Sequence, residues 1–112
     1  MRVLIVPSWY PTEERPNSGI FFKEQAIALQ EQGLEVIVAY PEIHSIKEIK
    51  KQKFKRGFYY NIEDGLETYR IKEYNFLPKI RRGSSIIYYL KLKNIYARLI
   101  KEGKRPDIIH AH

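Results

Sequence analysis

Two short apolar runs on either side of one amphipathic segment constrain the fold of this chain more than any other feature. The first run, "RVLIV" at residues 2–6, is rich in β-branched side chains, is too short for a helix and is followed by Pro7. The second run, "LEVIVAY" at residues 34–40, has the same apolar character. Both runs are typical of buried β-strands.

The segment between the two runs has the periodicity of a helix that begins at Ile20. Its apolar side chains share one face: Phe22, Ala26, Ile27 and Leu29. Gly33 supplies the stop at the carboxyl end of this helix. Strand, helix and strand in this order predict a βαβ unit, with a right-handed crossover and parallel strands.

The middle of the chain is less regular. Beyond Pro41, the stretch "IHSIKEIKKQKFKR" is lysine-rich and weakly patterned, which predicts a loop or a frayed helix. The next stretch, "GFYYNIEDGLETYRIKEY", predicts a β-hairpin, because Asp64 and Gly65 suit a tight turn between aromatic and β-branched residues. The second arm of this hairpin can join the main sheet.

A long helix and a further strand are predicted after the basic connector "LPKIRRGSS". Ser84 or Ser85 can cap this helix, which runs to about Lys101 and is closed by Gly103 and Pro106. Its inward residues fall at helical spacing: Tyr88, Leu92, Ile95 and Leu99. The last residues, "DIIHAH", begin another parallel strand. The expected fold is therefore α/β, with a Rossmann-like, mostly parallel sheet, helices on both faces and a β-hairpin insertion.

Composition narrows the class of protein. A chain of 112 residues that is 44% hydrophobic can bury one core, so we expect a globular domain rather than a disordered segment. The absence of cysteine excludes disulfides, thiolate nucleophiles and cysteine-based zinc sites. No apolar run approaches the roughly 20 residues that span a bilayer, and the apolar stretch at the N-terminus is too short for a signal peptide. We expect a cytoplasmic protein.

The net charge of +7 is concentrated in the second part of the chain. Residues 1–46 hold three basic and six acidic side chains, whereas residues 47–112 hold seventeen basic and seven acidic ones. A positive surface of this kind attracts polyanions, namely nucleic acid, anionic lipid headgroups or a phosphorylated substrate. Solubility by itself would also explain the charge.

The loop "PSWYPTEERPNSG" between the first strand and the first helix is the strongest candidate site. Such a loop gathers backbone N–H groups at the positive end of the helix dipole, which favours an anion such as a phosphate. Gly19 would let that anion approach the backbone, and Asn17 or Ser18 can cap the helix or contact the ligand. The side chains of Trp9, Tyr10, Pro11 and Pro16 can form a wall for a sugar or a lipid. The alternative is a structural turn with an ordinary cap.

Nucleotide-binding fingerprints are absent from this loop. The chain has no G-x-G-x-x-G pattern and no Walker lysine, which argues against a nicotinamide or P-loop nucleotide site.

The sequence resembles the N-terminal domain of the family 4 retaining glycosyltransferases, which have the GT-B architecture and are typically bacterial enzymes that build polysaccharides or glycolipids. The resemblance rests on "VLIVPSWYPTEERPNSGIFFKEQAIALQEQGLEVIVAYPE" together with "RPDIIHAH". It is closest over residues 2–42 and 105–112. The middle of the chain matches mainly by its order of elements.

This resemblance implies a two-domain enzyme that moves a sugar from a nucleotide sugar to a glycan or lipid-linked acceptor, with retention at the anomeric carbon and without a metal or other cofactor. The N-terminal domain chiefly binds the acceptor, and a C-terminal domain holds the nucleotide. Residues 1–112 would then be a truncated acceptor-side domain without the nucleotide-sugar-binding domain. The catalytic acidic pair would lie in that absent domain, so we expect this chain to be inactive alone.

The resemblance also implies where substrates bind. The first strand-to-helix loop faces the interdomain cleft near the donor diphosphate, and His112 lies at the edge of the cleft. The expected substrate- or diphosphate-binding residues are Asn17, Ser18, Gly19, Ile20 and His112. The family often has two adjacent glycines in this loop, whereas this chain has Ser18 followed by Gly19, which weakens the prediction of direct diphosphate contact.

The remaining polar side chains suggest little catalytic chemistry. His110 and His112 share a face of the last strand, but two imidazoles without a third ligand make a weak metal site, so no metal is expected. A core or hydrogen-bonding role is expected for His110, and none is assigned to His44. Glu13 and Glu14 can orient an acceptor hydroxyl or simply be solvated.

The basic segments suggest a contact surface. Lys91, Arg98 and Lys101 form a stripe at helical spacing, and with Trp9 and Tyr10 they are predicted to contact the acceptor or an anionic membrane at its cytoplasmic face. The alternative function is a stand-alone basic module that binds anions or nucleic acid. Because no recognition helix, RNP-type motif or zinc site is evident, we expect no nucleic-acid partner.

Overall fold

The computed structural model describes residues 1–12, 15–44, 55–77 and 79–111. It contains seven regular elements, which are β1 (Arg2–Val6), α1 (Ile20–Glu31), β2 (Glu35–His44), β3 (Gly57–Glu63), β4 (Leu66–Tyr74), α2 (Gly83–Lys101) and β5 (Ile108–Ala111). The strands form one sheet in the order β3-β4-β2-β1-β5.

The sheet is parallel except at one edge. β1 runs parallel to both β2 and β5, β2 runs parallel to β4, and only β3 is antiparallel to its neighbour β4. The chain leaves β1 toward β2 on one side and later returns to place β5 on the other side. The predicted α/β, Rossmann-like, mostly parallel sheet is confirmed.

Each face of the sheet is covered by one helix. Successive side chains of a strand point to opposite faces, so Val3 and Ile5 of β1 pack with Ala26 of α1, whereas Leu4 and Val6 pack with α2. Tyr88, Leu92, Ile95 and Leu99 of α2 face inward as predicted from spacing. Tyr96 packs on the same core, and Ile87 is buried as well. The two small cores confirm helices on both faces.

The hairpin between β3 and β4 turns at the predicted residues. Asp64 and Gly65 both have positive φ angles, 52° and 82°, as the central residues of a type I′ turn require. β4 lies inside the sheet between β3 and β2, so the second arm does join the main sheet. Lys23 of α1 reaches the turn through an ion pair with Asp64 at 2.6 Å, which attaches α1 to the hairpin.

The predicted N-terminal caps of the two helices are wrong, whereas Gly33 and Gly103 follow the helix ends with positive φ angles, as predicted. α1 is preceded by Gly19 at φ 66°, and α2 by Arg82 at φ 63°, and neither residue gives a side-chain cap hydrogen bond. The reason at α2 is a close approach of the connector, because a Cβ on Gly83 would lie 2.2 Å from the carbonyl oxygen of Leu77. The helix therefore begins at Gly83, and Ser84 and Ser85 fall in its first turn instead of capping it.

β2 extends past Pro41 to His44, so the first residues of the predicted loop form a strand. Beyond Val38, β2 pairs with β4 but no longer with β1. Proline lacks an N–H donor and is tolerated where a strand has a neighbour on one side only. Residues 45–54, the rest of the predicted loop or frayed helix, lie outside the described residues.

Candidate functional site: a crevice at the carboxyl edge of the sheet

A crevice opens at the carboxyl edge of the parallel strands, beside the ends of β1 and β2. It has a volume of about 440 Å³ and lies between the β1–α1 loop, the end of β2 and the first turn of α2. Its lining residues are Ser8, Trp9, Arg15, Tyr40, Pro41, Ile43, Ser84, Ser85 and Tyr88. Open α/β sheets bind ligands outside the carboxyl ends of their strands, which is the edge where this crevice lies.

Trp9 gives the crevice an aromatic surface. Its side chain is 62% exposed, so the indole is available to a ligand. Aromatic rings present a flat apolar face, which suits the C–H face of a sugar. The prediction that Trp9 forms a wall for a ligand is consistent with this position, although its acceptor role stays a prediction.

Tyr40 and Tyr88 form the base of the crevice. Their rings meet edge-to-face, with centroids 6.4 Å apart, and the Tyr88 hydroxyl donates a 2.7 Å hydrogen bond to the carbonyl of Pro7. Burial raises the pKa of both hydroxyls above the ordinary value for tyrosine, so both stay protonated at neutral pH. The Tyr88 bond attaches α2 to the end of β1 and holds the two sides of the crevice together.

The structure contradicts the contact role predicted for Tyr10. Its side chain is 0% exposed and packs against Tyr40, with ring centroids 5.9 Å apart. Consecutive residues leaving β1 point in opposite directions, so Trp9 faces the crevice while Tyr10 fills the core beside α1. A fully buried ring cannot contact an acceptor or a membrane.

Gly19 contacts the protein's own backbone. A Cβ at this position would lie 2.1 Å from the carbonyl oxygen of Trp9 and 2.7 Å from the backbone nitrogen of Tyr10. The absent side chain therefore lets the start of α1 pack on the strand end, which is the structural turn that the sequence left as the alternative.

Two amides of the same loop already have acceptors. The N–H of Ser18 donates to the carbonyl of Arg15 at 3.1 Å, and that of Ile20 donates to the carbonyl of Asn17 at 3.4 Å. Asn17 and Ile20 are exposed at the surface. Diphosphate binding by residues 17–20 stays a prediction. His112, Glu13 and Glu14 lie outside the described residues, so their predicted roles have no structural counterpart.

The basic stripe on α2 is largely neutralised within the chain. The Lys91 ammonium lies 3.5 Å from a carboxylate oxygen of Glu73. The Arg98 guanidinium lies 2.8 Å from Glu102. Lys101 is exposed. Two of the three α2 cations that were predicted to contact an acceptor or a membrane therefore form ion pairs with carboxylates of the same chain.

Neither α1 nor α2, the helices found in the part of the chain that the structure describes, combines the length and apolar character needed to cross a membrane. Contact of the α2 stripe with a membrane surface stays a prediction.

Sequence reasoning missed Arg70, which connects the loop to the sheet. Its side chain lies in β4 and is only 7% exposed. The guanidinium donates to both carboxylate oxygens of Glu63, at 2.9 and 2.7 Å, and to the carbonyl of Pro11 at 2.8 Å. The signal in the sequence was an arginine at an inward position of a strand that was expected to join the sheet.

Comparison with known proteins relates the chain to a glycosyltransferase. An alignment of 125 positions, covering the whole chain, shows 30% identity to the "Putative teichuronic acid biosynthesis glycosyltransferase TuaC" of Bacillus subtilis (strain 168). A glycosyltransferase relationship is thereby supported. The chain spans 30% of the length of that relative. No protein-family model matches the chain, and no solved structure matches it.

Proposed function

We propose that this chain is the N-terminal, acceptor-side domain of a retaining glycosyltransferase of family 4 with the GT-B architecture. In this proposal the full protein transfers a sugar from a nucleotide sugar to a polysaccharide or lipid-linked acceptor. The observation that carries it is the crevice between Trp9 and the first turn of α2, at the edge where α/β sheets bind ligands. The relationship to a glycosyltransferase supports the reaction class. Retention of the anomeric configuration is proposed from the sequence resemblance alone.

The crevice offers the groups that a sugar acceptor requires. The exposed indole of Trp9 would stack against a sugar ring, and the hydroxyls of Ser84 and Ser85 would exchange hydrogen bonds with its hydroxyl groups. The amino end of α2 adds a positive dipole at the same place, and Arg15 adds a full charge. A phosphate that links the acceptor to a lipid would be attracted to this side of the crevice.

The chain is proposed to be inactive alone. Among the described residues that line the crevice, none carries a carboxylate, so the lining offers no acidic group for proton transfer or for contact with the donor. In this proposal the nucleotide sugar is held mainly by a second domain outside residues 1–112. Because this chain spans 30% of the length of the relative, the relative is more than three times as long and has room for such a domain.

The outer strand supports a longer protein as well. Ile108 and Ile109 of β5 are half-exposed apolar side chains on a strand whose one neighbour among the described residues is β1. An apolar edge strand is usually covered in a native fold. We propose that further polypeptide covers it, and that the full enzyme acts in the cytoplasm, at the inner face of the membrane when its acceptor is lipid-linked.

The test is a transfer assay on two proteins: the full protein encoded by the gene and residues 1–112 alone. With a panel of nucleotide sugars and a glycan acceptor, we expect turnover by the full protein only. NMR of the product should show that the transferred sugar keeps the anomeric configuration it had in the donor. Turnover by residues 1–112 would overturn the proposed inactivity. Inversion at the anomeric carbon, or a gene without a nucleotide-sugar-binding domain, would overturn the proposed family.

A further inference from the structure

A second cavity lies on the α1 face of the sheet, apart from the crevice. It has a volume of about 560 Å³ and is enclosed by the β1–α1 loop, α1 and the inner face of the β3–β4 hairpin. None of its lining residues lines the crevice. The side chains that matter below are Thr12, Glu42, Tyr59, Asn61, Arg70 and Lys72. The volume is within the range of small-molecule sites, about 300–1,000 Å³.

The base of this cavity is a buried, rigidly held cation. Arg70 is held from two sides by the carboxylate of Glu63 and the carbonyl of Pro11. Its Nη1 atom is buried without a hydrogen-bond partner in the described chain, and the nearest carboxylate oxygen, from Glu42, is 3.6 Å away. The guanidinium therefore forms a fixed, charge-compensated base with one buried N–H group that lacks a hydrogen-bond partner among the described residues.

Among the described residues that line this cavity, Lys72 is the cation without a carboxylate partner. Its ammonium lies 5.0 Å from the ring centroid of Tyr59, and no carboxylate of the described residues lies within ion-pair distance of it. The third cation, Lys23, is paired with Asp64. Lys72 is half-buried, so an ion pair formed there would be only partly screened by water.

The charges of the lining suit a ligand with one negative charge. Of the three cations that line the cavity, Lys23 is paired with Asp64 and Arg70 with Glu42 and Glu63, which leaves Lys72 to pair with a single anionic group. A polyphosphate would meet both carboxylates with several negative charges and be repelled. The amide of Asn61 and the hydroxyl of Thr12 add neutral hydrogen-bonding groups that suit hydroxyls, and Tyr59 adds a ring face.

We propose that this cavity binds an acidic sugar unit of the acceptor, a pyranose that carries a carboxylate. The carboxylate pairs with Lys72, the sugar ring lies against Tyr59 above the base formed by Arg70, and its hydroxyls bond to Asn61 and Thr12. This inference rests on the proposed acceptor-side function. It adds a second subsite that selects acidic glycans, separate from the crevice where transfer would occur.

The test measures binding to the 112-residue chain by isothermal titration and by ¹⁵N NMR. The probes are trigalacturonate, maltotriose as its neutral counterpart, and inorganic phosphate. We expect trigalacturonate to bind at least about tenfold more tightly than maltotriose, since a hydrogen bond to a charged group is worth roughly 1.5–3 kcal/mol. The amide signals of Asn61 and Lys72 should move. Phosphate, which lacks the ring and hydroxyls, should bind no better than maltotriose.

Two variants make the assignment specific. Lys72→Gln should lower the affinity for trigalacturonate by about tenfold or more, whereas Lys93→Gln, at an exposed lysine on α2, should leave it unchanged. Asn61→Ala, at an exposed position of β3, is a second variant with little risk to folding. Circular dichroism confirms that each variant is folded.

Several outcomes would overturn the inference. They are equal affinity for the acidic and neutral trisaccharides, no binding of either, binding of phosphate as tight as that of trigalacturonate, or NMR changes confined to Trp9 and the first turn of α2. The two proposals fail separately. Acidic-sugar binding here in a protein without transferase activity defeats only the proposed function, and transfer without such binding defeats only this subsite.

Discussion

The start of α1 rests directly on the end of β1, because Gly19 approaches the carbonyl of Trp9 so closely that a Cβ would lie 2.1 Å from its oxygen. The same glycine has a φ of 66°, in the left-handed region that side chains disfavour. One residue therefore determines both the entry angle of the helix and the position of the Trp9 backbone at the crevice.

Gly19→Ala should destabilise the domain strongly. The left-handed backbone costs about 1–2 kcal/mol for a residue with a Cβ, and the overlap with rigid backbone atoms adds to that, so we expect a loss of about 3 kcal/mol or more in the free energy of unfolding. Urea denaturation followed by circular dichroism measures it.

The matched control for this prediction is Gly33→Ala. Gly33 also has a positive φ, 94°, but a Cβ there would meet nothing within 4 Å. This variant should lose only the backbone contribution of about 1–2 kcal/mol. Equal losses in the two variants would show that the close contact between Gly19 and the backbone of Trp9 adds nothing to the cost of the Gly19→Ala substitution.

Arg70→Met should cost about 3–5 kcal/mol of stability, because removing one partner of a buried ion pair leaves the carboxylates of Glu63 and Glu42 without compensation. Thermal and urea unfolding give the value. Arg98→Met is the comparison, since its ion pair with Glu102 lies at the solvent-exposed surface and should contribute little to stability. Equal losses of stability in the two variants would show that the buried ion pairs of Arg70 contribute no more than a surface pair.

Acid should destabilise the domain through carboxylates at the amino edge of the sheet. Burial raises the pKa of Glu67, but hydrogen bonds from Lys104 and Tyr60 outweigh it and lower the pKa below 4.5. The hydrogen bond from Tyr69, followed by that from Arg98, lowers the pKa of Glu102.

A carboxylate with a lowered folded-state pKa contributes stability that is complete above its unfolded pKa and is lost as the pH falls through its folded pKa. Stability should therefore be flat near neutral pH and decrease below about pH 4.5. Urea midpoints across this range provide the measurement. Lys104→Met should reduce the decrease, whereas Lys101→Met should not; parallel profiles for Lys104→Met and the parent chain would contradict this cause.

Trp9, the single tryptophan of the chain, should report on the crevice. Its exposed indole should fluoresce like an indole in water, and a glycan acceptor bound in the crevice should shift the emission to the blue. In the full protein, Trp9→Ala should raise KM for the acceptor by about tenfold, within the 1–3 kcal/mol range of a well-used aromatic contact. Tyr89→Ala removes a similarly exposed ring on α2 that does not line the crevice, and it should leave KM unchanged. A similar rise in both variants would place the acceptor outside the crevice.

Local patterns in the sequence were sufficient for the elements of this fold. β-branched runs, helical spacing and an Asp-Gly turn each act over a few residues, and they correctly predicted the strands, both helices, the hairpin and the mostly parallel sheet. The right-handed crossover rule then followed from strand, helix and strand in succession. The position of the crevice at the carboxyl edge depends on this topology alone.

Tertiary structure decided which side chains face the crevice and which enter the core. Nothing in the spacing distinguishes the exposed Trp9 from the buried Tyr10. The spacing of the α2 stripe likewise gives no sign that Glu73 of β4 and Glu102 form ion pairs with Lys91 and Arg98. Arg70 is held by Pro11, which is 59 residues away in the chain. Sequence periodicity records how neighbours along the chain share a face, whereas an ion pair or a close backbone contact depends on segments that only the folded chain brings together.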